Sequence, residues 1–392
     1  MGFEKTYEEI NKKIKDGNAV IVTAEEVIDV VKEKGIEEAT KEIDVVTTAT
    51  FGPMCSSGAV MNFGHTNPPI RMSKIYLNDV EAYGGLAAVD TYIGASAESE
   101  SQGYSYGGAH VICDLISGKE IELKAYSKGT DCYPRKEVKT YITKNDLNEV
   151  YLFNPRNAYQ NYAAAINSSD RTIKTYMGTL LANKGNITYS TSGELSPLLN
   201  DPTYRTIGMG TKIFLCGAEG YVAWKGTQFN SSNKRDENGI PYSNTGTLAL
   251  IGDLKEMKSD YISPAVFDGY GVSIFIGVGI PIPILDENMM KAVSIENKDI
   301  YTNIIDYSVP NSDKPSFGLV SYKDLKSGSV SLEGKKIKTA PTTSMKKSRK
   351  IADELKKWIE SGNFTLQEPI KRFSMDDSIT GLEIREANKD EK

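Results

Sequence analysis

Apolar residues recur along the chain at two periods, and the switches between them outline its elements. Tyr7, Ile10 and Ile14 fall at helical spacing within Lys5 to Lys15, and Gly17 supplies a stop. The short apolar run Ala19 to Val22 predicts a buried strand. Thr23 then opens a capping box closed by Glu26, and Val27, Ile28, Val30 and Val31 give the next helix a buried side as far as Gly35. Ile36 to Glu42 reads as a further turn or two of helix. Val45 to Phe51 is a β-prone run that breaks at Gly52-Pro53.

Beyond it, Arg71 to Val80 predicts a strand and turn. Ala109 to Ile116 and Glu120 to Tyr126 read as a β-hairpin across Ser117-Gly118-Lys119. Val138 to Ile142 is a strand, Asn154-Pro155-Arg156 a turn, and Ala158 to Ile166 a helix. Thr172 to Leu181 and Asn186 to Ser190 predict paired strands around Gly185. Strands follow at Lys212 to Leu215, Tyr221 to Trp224 and Thr247 to Ile251, then two Gly/Pro-punctuated apolar stretches, Met257 to Phe267 and Val272 to Ile284. Ser329 to Leu332 and Lys335 to Lys338 form a hairpin across Glu333-Gly334. Ser344 to Ser361 is an amphipathic helix with Ile351, Leu355 and Ile359 on one side, closed by Gly362. The class is α+β: mixed β-sheets with flanking helices. Residues 1–373 form one unit, read as two intertwined lobes, and residues 374–392 a polar tail expected to be poorly ordered.

Composition changes this picture little. With 39% hydrophobic and 25% charged residues the chain is an ordinary globular one. A formal charge of −6 with no basic block gives no reason to expect nucleic acid or an anionic membrane as partner. The longest apolar run, Tyr270 to Leu285, is too short and too rich in Gly and Pro to span a bilayer. The charged N-terminus lacks an apolar signal core, so the expected location is the cytoplasm. Twenty-two tyrosines, with abundant Lys, Ile and Asn, read as compositional bias without mechanism.

The candidate chemistry lies in the cysteines. Cys55 follows the Val45 to Phe51 run into a loop of small residues, Ser56, Ser57 and Gly58, where backbone N–H groups can face a thiolate. A buried structural cysteine beside a turn is the alternative. Cys132 follows a second strand, in Gly129 to Arg135, and Cys216 a third; Cys113 is the fourth. In a reducing compartment these are free thiols, ligands or redox groups. The segment from Cys55 to Gly64 faintly echoes that from Cys216 to Gly226, either as an internal pseudo-repeat or by chance among Gly-rich strand ends. No C-x-x-C or H-x-x-x-H spacing marks a metal site, no G-x-S-x-G elbow marks a serine hydrolase, and Gly208-Met-Gly210 and Gly277-Val-Gly279 lack the rest of a nucleotide motif. Thiol chemistry remains: a nucleophilic cysteine and a resolving partner. His65 and His110, the two histidines, are candidates for proton transfer or structural hydrogen bonding. Arg71 and Arg135, with the Gly58 backbone, are candidates to hold a substrate carboxylate.

Four runs carry a resemblance: TFGPMCSSGA at Thr50 to Ala59, GTDCYPR at Gly129 to Arg135, GTQF at Gly226 to Phe229 and GIPIPILDE at Gly279 to Glu287. Together they resemble the homocysteine biosynthesis family of anaerobic archaea and bacteria, over about Tyr7 to Phe373. The resemblance implies an enzyme, an L-aspartate semialdehyde sulfurtransferase that forms L-homocysteine on the route to methionine, with Cys55 and Cys132 as its functional thiols. It implies a short form without the CBS or ferredoxin domains of many members. Sulfide or a persulfide donor would supply sulfur, and reduced ferredoxin or a separate ferredoxin-like protein the electrons. In the expected scheme Cys55 receives sulfur as a persulfide that adds to the aldehyde, and Cys132 resolves the adduct into a Cys55–Cys132 disulfide. The alternatives are a labile [4Fe-4S] cluster held by Cys55, Cys132 and Cys216, and a non-catalytic sulfur carrier or docking module; a homo-oligomer is compatible with each.

Overall fold

The strand that delivers Cys55 runs Val45–Pro53 and pairs antiparallel, along its whole length, with the long strand Gly271–Pro283. These two lie within a ten-stranded mixed sheet in a computed structural model that describes residues 3–385. Both are buried on both faces, which is why neither shows polar alternation. Ile274, Ile276, Val278, Ile280 and Ile282 project to one face. The other face presents Gly277 and Gly279 to the helix Met345–Glu360, whose Ile351, Leu355 and Ile359 are fully buried. A Cβ on Gly277 would stand 2.7 Å from the Tyr261 carbonyl oxygen and 2.9 Å from Ile351 Cδ1. The Gly277-Val-Gly279 pair therefore lets a helix approach the sheet closely. Gly208-Met-Gly210 marks a different close approach, that of the non-helical segment at Lys371, whose carbonyl oxygen a Cβ on Gly208 would meet at 2.5 Å.

Local signals set the other early elements. Thr6 and Thr23 each close a capping box, with Glu9 and Glu26, at the starts of Tyr7–Lys15 and Ala24–Glu42. Gly35, expected as a stop, is a kink at φ 81° between two helical pieces of the latter, and Val30 and Val31 are only half-buried. A six-stranded antiparallel sheet around Ile121–Tyr126 carries the Cys132 loop toward Glu137–Ile142. A third, six-stranded mixed sheet contains Ala164–Ile166, Asn186–Tyr189, Tyr301–Asp306 and the predicted hairpin Ser329–Leu332 with Lys335–Pro341. It has its own core of Ile166, Ile187, Ile304, Tyr322 and Leu325. The architecture is α+β.

Several expectations are corrected. Gly108–Ile116 is a helix, not a hairpin strand: most of it is buried, and its polar stripe is only His110 and Asp114, one helical turn apart, too narrow to mark the period in an apolar run. It packs on the large sheet, and a Cβ on Gly108 would meet the Gly94 carbonyl at 1.9 Å. Asn154-Pro155-Arg156 lies inside the strand Glu149–Asn157, where the register against Leu248–Asp253 shifts. Residues 158–163 form no helix; Ala158 sits at φ 49°, and the Gln160 and Asn161 amides bond the backbone of distant segments. Ile173–Thr175 and Gly178–Leu180 make a hairpin of their own, while Asn186–Tyr189 joins the third sheet. In the tail, Ser231 Oγ donates to the Ser374 carbonyl and Lys225 pairs with Asp377 at 2.7 Å. Residues 386–392, the end of the segment expected to be flexible, lie outside the described residues.

Candidate active site

Cys55 opens into a cavity of about 370 Å³ at the junction of the large sheet with the third sheet. The turn that presents it is fixed from below. The Met54 N–H donates to the Ile274 carbonyl at 2.7 Å, and Ser57 Oγ donates to the Met54 carbonyl at 2.8 Å. The fully buried Asn154 then ties the turn to its neighbour strand. Its Nδ2 donates to Ser57 Oγ at 2.8 Å, and its Oδ1 accepts the Arg156 N–H at 3.0 Å. The Cys55 thiol itself donates to Ser273 Oγ at 3.1 Å, from a serine on the long central strand. Cys55 is half-buried, reachable but sheltered.

Arg156 is the one charged residue among those lining the cavity. Its Nε donates to Thr227 Oγ1 and its Nη1 to Gln228 Oε1, each at 3.0 Å, and it has no ion-pair partner among the described residues. Ser56 Oγ donates to the Arg156 carbonyl at 3.4 Å, so this arginine neighbours the Cys55 turn. The rest of the wall is aromatic. Tyr159 meets Tyr162 edge-on at 4.7 Å, Tyr162 meets Tyr176 at 6.4 Å, and Tyr176 meets Tyr270 at 6.0 Å. Burial, and then the neighbouring Cys55, push the Tyr270 phenol up to about 12, so it keeps its proton at neutral pH. Burial raises Tyr159 and Tyr162 in the same direction.

The other predicted site residues lie elsewhere. Cys132 is exposed in the loop between Ile121–Tyr126 and Glu137–Ile142. Arg135 anchors that loop: its backbone bridges Ile70, and its guanidinium donates to the Asn67 and Pro68 carbonyls at 2.7 and 3.0 Å. His65 stacks on Tyr133 at 5.9 Å, and the exposed Arg71 lines a shallow depression with Tyr133. Cys55 precedes the start of the strand Gly58–Asn62, whereas this cluster lies beyond its end. Cys55 and Cys132 are both free thiols in the structure, and Cys132 is not among the residues that line the Cys55 cavity.

His110 accepts the Gly107 N–H at 3.1 Å and stacks on Tyr106; burial lowers its pKa, with Asp114 opposing. It caps a helix and does not line the Cys55 cavity. Gly58 is a packing residue, since a Cβ there would stand 2.2 Å from Tyr92 Oη. Cys216 is fully buried at φ 52° in the hairpin turn between Lys212–Leu215 and Ala218–Lys225, and burial pushes its thiol up to about 12. The strand ending at Cys216 and the one leading to Cys55 do flank the same central strand, Gly271–Pro283, yet only the Cys55 end lines the cavity. Cys113 is likewise buried, its thiol raised by desolvation.

Cys55, Cys132 and Cys216 thus occupy three separate places. Among the described residues no group of three or more His, Cys, Asp or Glu side chains is placed to hold a metal ion. One chain does not fit a [4Fe-4S] cluster on these thiols, and no step is routed through one. Sequence reasoning missed Arg156, Gln228, Ser273 and the tyrosines. The GTQF run was legible, but its contact with Arg156 depends on strand pairing across 70 residues.

Residues 19–366 match the family described as "Homocysteine biosynthesis enzyme, sulfur-incorporation". The chain is 53% identical to the L-aspartate semialdehyde sulfurtransferase of Methanosarcina acetivorans, across 98% of this chain and 75% of that protein. It is 49% identical to the protein of the same name from Methanocaldococcus jannaschii, across 93% of this chain and 72% of that one. A protein of Methanothermobacter thermautotrophicus without assigned function is 30% identical over 82% of this chain and 72% of its own length. No solved structure matches. Among the described residues no helix is long and apolar enough to cross a membrane. The chain is an enzyme of the homocysteine biosynthesis, sulfur-incorporation family.

Proposed function

We propose that the protein incorporates reduced sulfur into L-aspartate semialdehyde to form L-homocysteine, in the cytoplasm, with Cys55 as the sulfur-carrying nucleophile. The supporting observation is that Cys55 is the one thiol among the residues lining the cavity, which it shares with one arginine and four tyrosines. The overall change is R–CHO + HS⁻ + 2e⁻ + 3H⁺ → R–CH₂–SH + H₂O, so a sulfur donor and a two-electron reductant are both required. Sulfide opens a Cys55–Cys132 disulfide to leave a Cys55 persulfide and the Cys132 thiol. The persulfide's outer sulfur attacks the aldehyde carbon, and Cys132 then re-forms the disulfide as HS–CH(OH)–R leaves, loses water and takes the two electrons. A persulfide donor instead hands its outer sulfur to the Cys55 thiolate, and the disulfide left at the end takes two further electrons. Tyr270, protonated and adjacent to the thiol, gives a proton to the oxygen that becomes water.

Electrons come from a separate ferredoxin-like protein, and sulfur from sulfide or a persulfide donor. Cys132 is the proposed second thiol. Being exposed, it is open to an external partner, and its meeting with Cys55 requires either movement of its loop or a second copy of the chain. The test is homocysteine formation from L-aspartate semialdehyde, sulfide and reduced ferredoxin. Cys55→Ser should abolish it, with the fold retained by circular dichroism; full activity in Cys55→Ser overturns the proposal.

A further inference from the structure

Resting on that reading of the cavity, we propose that Arg156 is its substrate-anchoring residue. Its guanidinium takes the α-carboxylate of an α-amino-acid semialdehyde, the α-ammonium lies against the wall of Tyr159, Tyr162, Tyr176 and Tyr270, and the aldehyde carbon faces Cys55. Three observations carry this. First, no Asp, Glu or Lys lines the cavity, so Arg156 is the only charge there to receive an anion. Second, Arg156 is already oriented. Thr227 holds its Nε and Gln228 its Nη1, Asn154 holds its backbone, and the absence of a carboxylate partner among the described residues leaves its charge to a ligand. The same Asn154 holds the Cys55 turn, so one side chain sets anchor and nucleophile in a common frame.

Third, an ammonium in a cavity without carboxylates needs π faces and hydroxyl oxygens, and the tyrosine wall supplies both. Arg135 and Arg71, the arginines picked from sequence, stand at the other end of the Gly58–Asn62 strand. Arg135 is moreover engaged by two carbonyls. Specificity then lies in the α-carboxylate: a free α-amino-acid semialdehyde is favoured over its decarboxylated analogue.

The test compares wild type, Arg156→Gln and Arg156→Lys on L-aspartate semialdehyde and on 3-aminopropanal, which lacks the carboxylate. For wild type, kcat/KM should fall roughly 10- to 100-fold on 3-aminopropanal, the loss of one charged hydrogen-bonded pair. Arg156→Gln should raise KM for L-aspartate semialdehyde by a similar factor with a smaller change in kcat, while leaving 3-aminopropanal turnover as in wild type. Arg156→Lys, which keeps the charge without the fork, should fall between. An unchanged KM in Arg156→Gln, or equal losses on both substrates, overturns the inference. The rate of Cys55 alkylation by iodoacetamide, equal in all three proteins, shows that the cavity is intact. If Cys55→Ser abolishes activity while Arg156→Gln keeps the wild-type KM, the anchor alone is wrong. If Cys55→Ser stays active, the underlying reading is.

Discussion

Replacing Asn154 by alanine should damage stability and activity together, because this fully buried amide joins the Cys55 turn to the strand bearing Arg156. The change removes the donor to Ser57 Oγ and the acceptor of the Arg156 N–H. Ser57 keeps its own bond to the Met54 carbonyl, so its loss is about 1 kcal/mol. The Arg156 N–H is left without a partner in a half-buried position, costing about 1–2 kcal/mol, and the lost carboxamide volume adds roughly another 1 kcal/mol. Asn154→Ala should therefore lower unfolding free energy by about 2–4 kcal/mol in a urea titration. With anchor and nucleophile no longer in register, homocysteine formation should fall roughly 10- to 100-fold. Ser57→Ala alone should cost less than Asn154→Ala, and the double variant less than the sum, with a coupling of about 1 kcal/mol. Additive single effects, or an Asn154→Ala protein within about 0.5 kcal/mol of wild type, would refute the claim that these bonds act as one frame.

Tyr270→Phe keeps the aromatic wall but removes a protonated hydroxyl beside Cys55, so kcat should drop at least roughly tenfold with little change in melting temperature. Unchanged kcat removes Tyr270 from the chemistry. Gly277→Val should destabilise by about 1–3 kcal/mol in a thermal melt, since its Cβ would meet Tyr261 and Ile351 inside normal contact. Asp44 is buried and accepts bonds from Lys5 at 3.0 Å, Lys13 at 2.7 Å and the Val20 N–H at 3.0 Å. Burial raises its pKa, but Lys13, Val20 and Lys5 outweigh that and hold it below its ordinary 3.8. Burial also lowers the Lys5 pKa despite the pair, so the network's strength rests on the Asp44 side. With the folded pKa depressed, this stabilisation is fully present above about pH 3.8 and is lost as pH falls below it through the folded value. Asp44→Asn should cost about 3–5 kcal/mol at pH 7 in a denaturant titration, and the gap to wild type should narrow in acid. A pH-independent gap contradicts the linkage.

What could be read from the chain was mostly local. The Thr23 capping box, the helix after Ser344 and the turn at Glu333-Gly334 rest on contacts a few residues apart, and all are present. The strand that leads to Cys55 instead runs through the expected break at Gly52-Pro53, because both residues still pair with the long central strand. Gly108–Ile116 misled because its polar stripe is only His110 and Asp114 in an otherwise apolar run. Residues 158–163 misled because apolar spacing suggested a helix where distant backbone groups claim the Gln160 and Asn161 amides. The site divides in the same way. Cys55 was visible as a thiol leaving a strand into a Gly/Ser loop. Its neighbours were not, since Arg156, Gln228 and Ser273 reach it through pairing between strands distant in sequence. The tyrosines, dismissed as compositional bias, supply the cavity wall.

The central claim is that sulfur is held on Cys55 in this cavity when it meets the aldehyde. Peptide mass spectrometry after incubation with the sulfur donor, and again after a single addition of L-aspartate semialdehyde with reduced ferredoxin, tests it directly. The account predicts one extra sulfur on the Cys55 peptide that disappears as homocysteine forms. Sulfur found only on the Cys132, Cys113 or Cys216 peptides, with Cys55 unmodified throughout turnover, would contradict it.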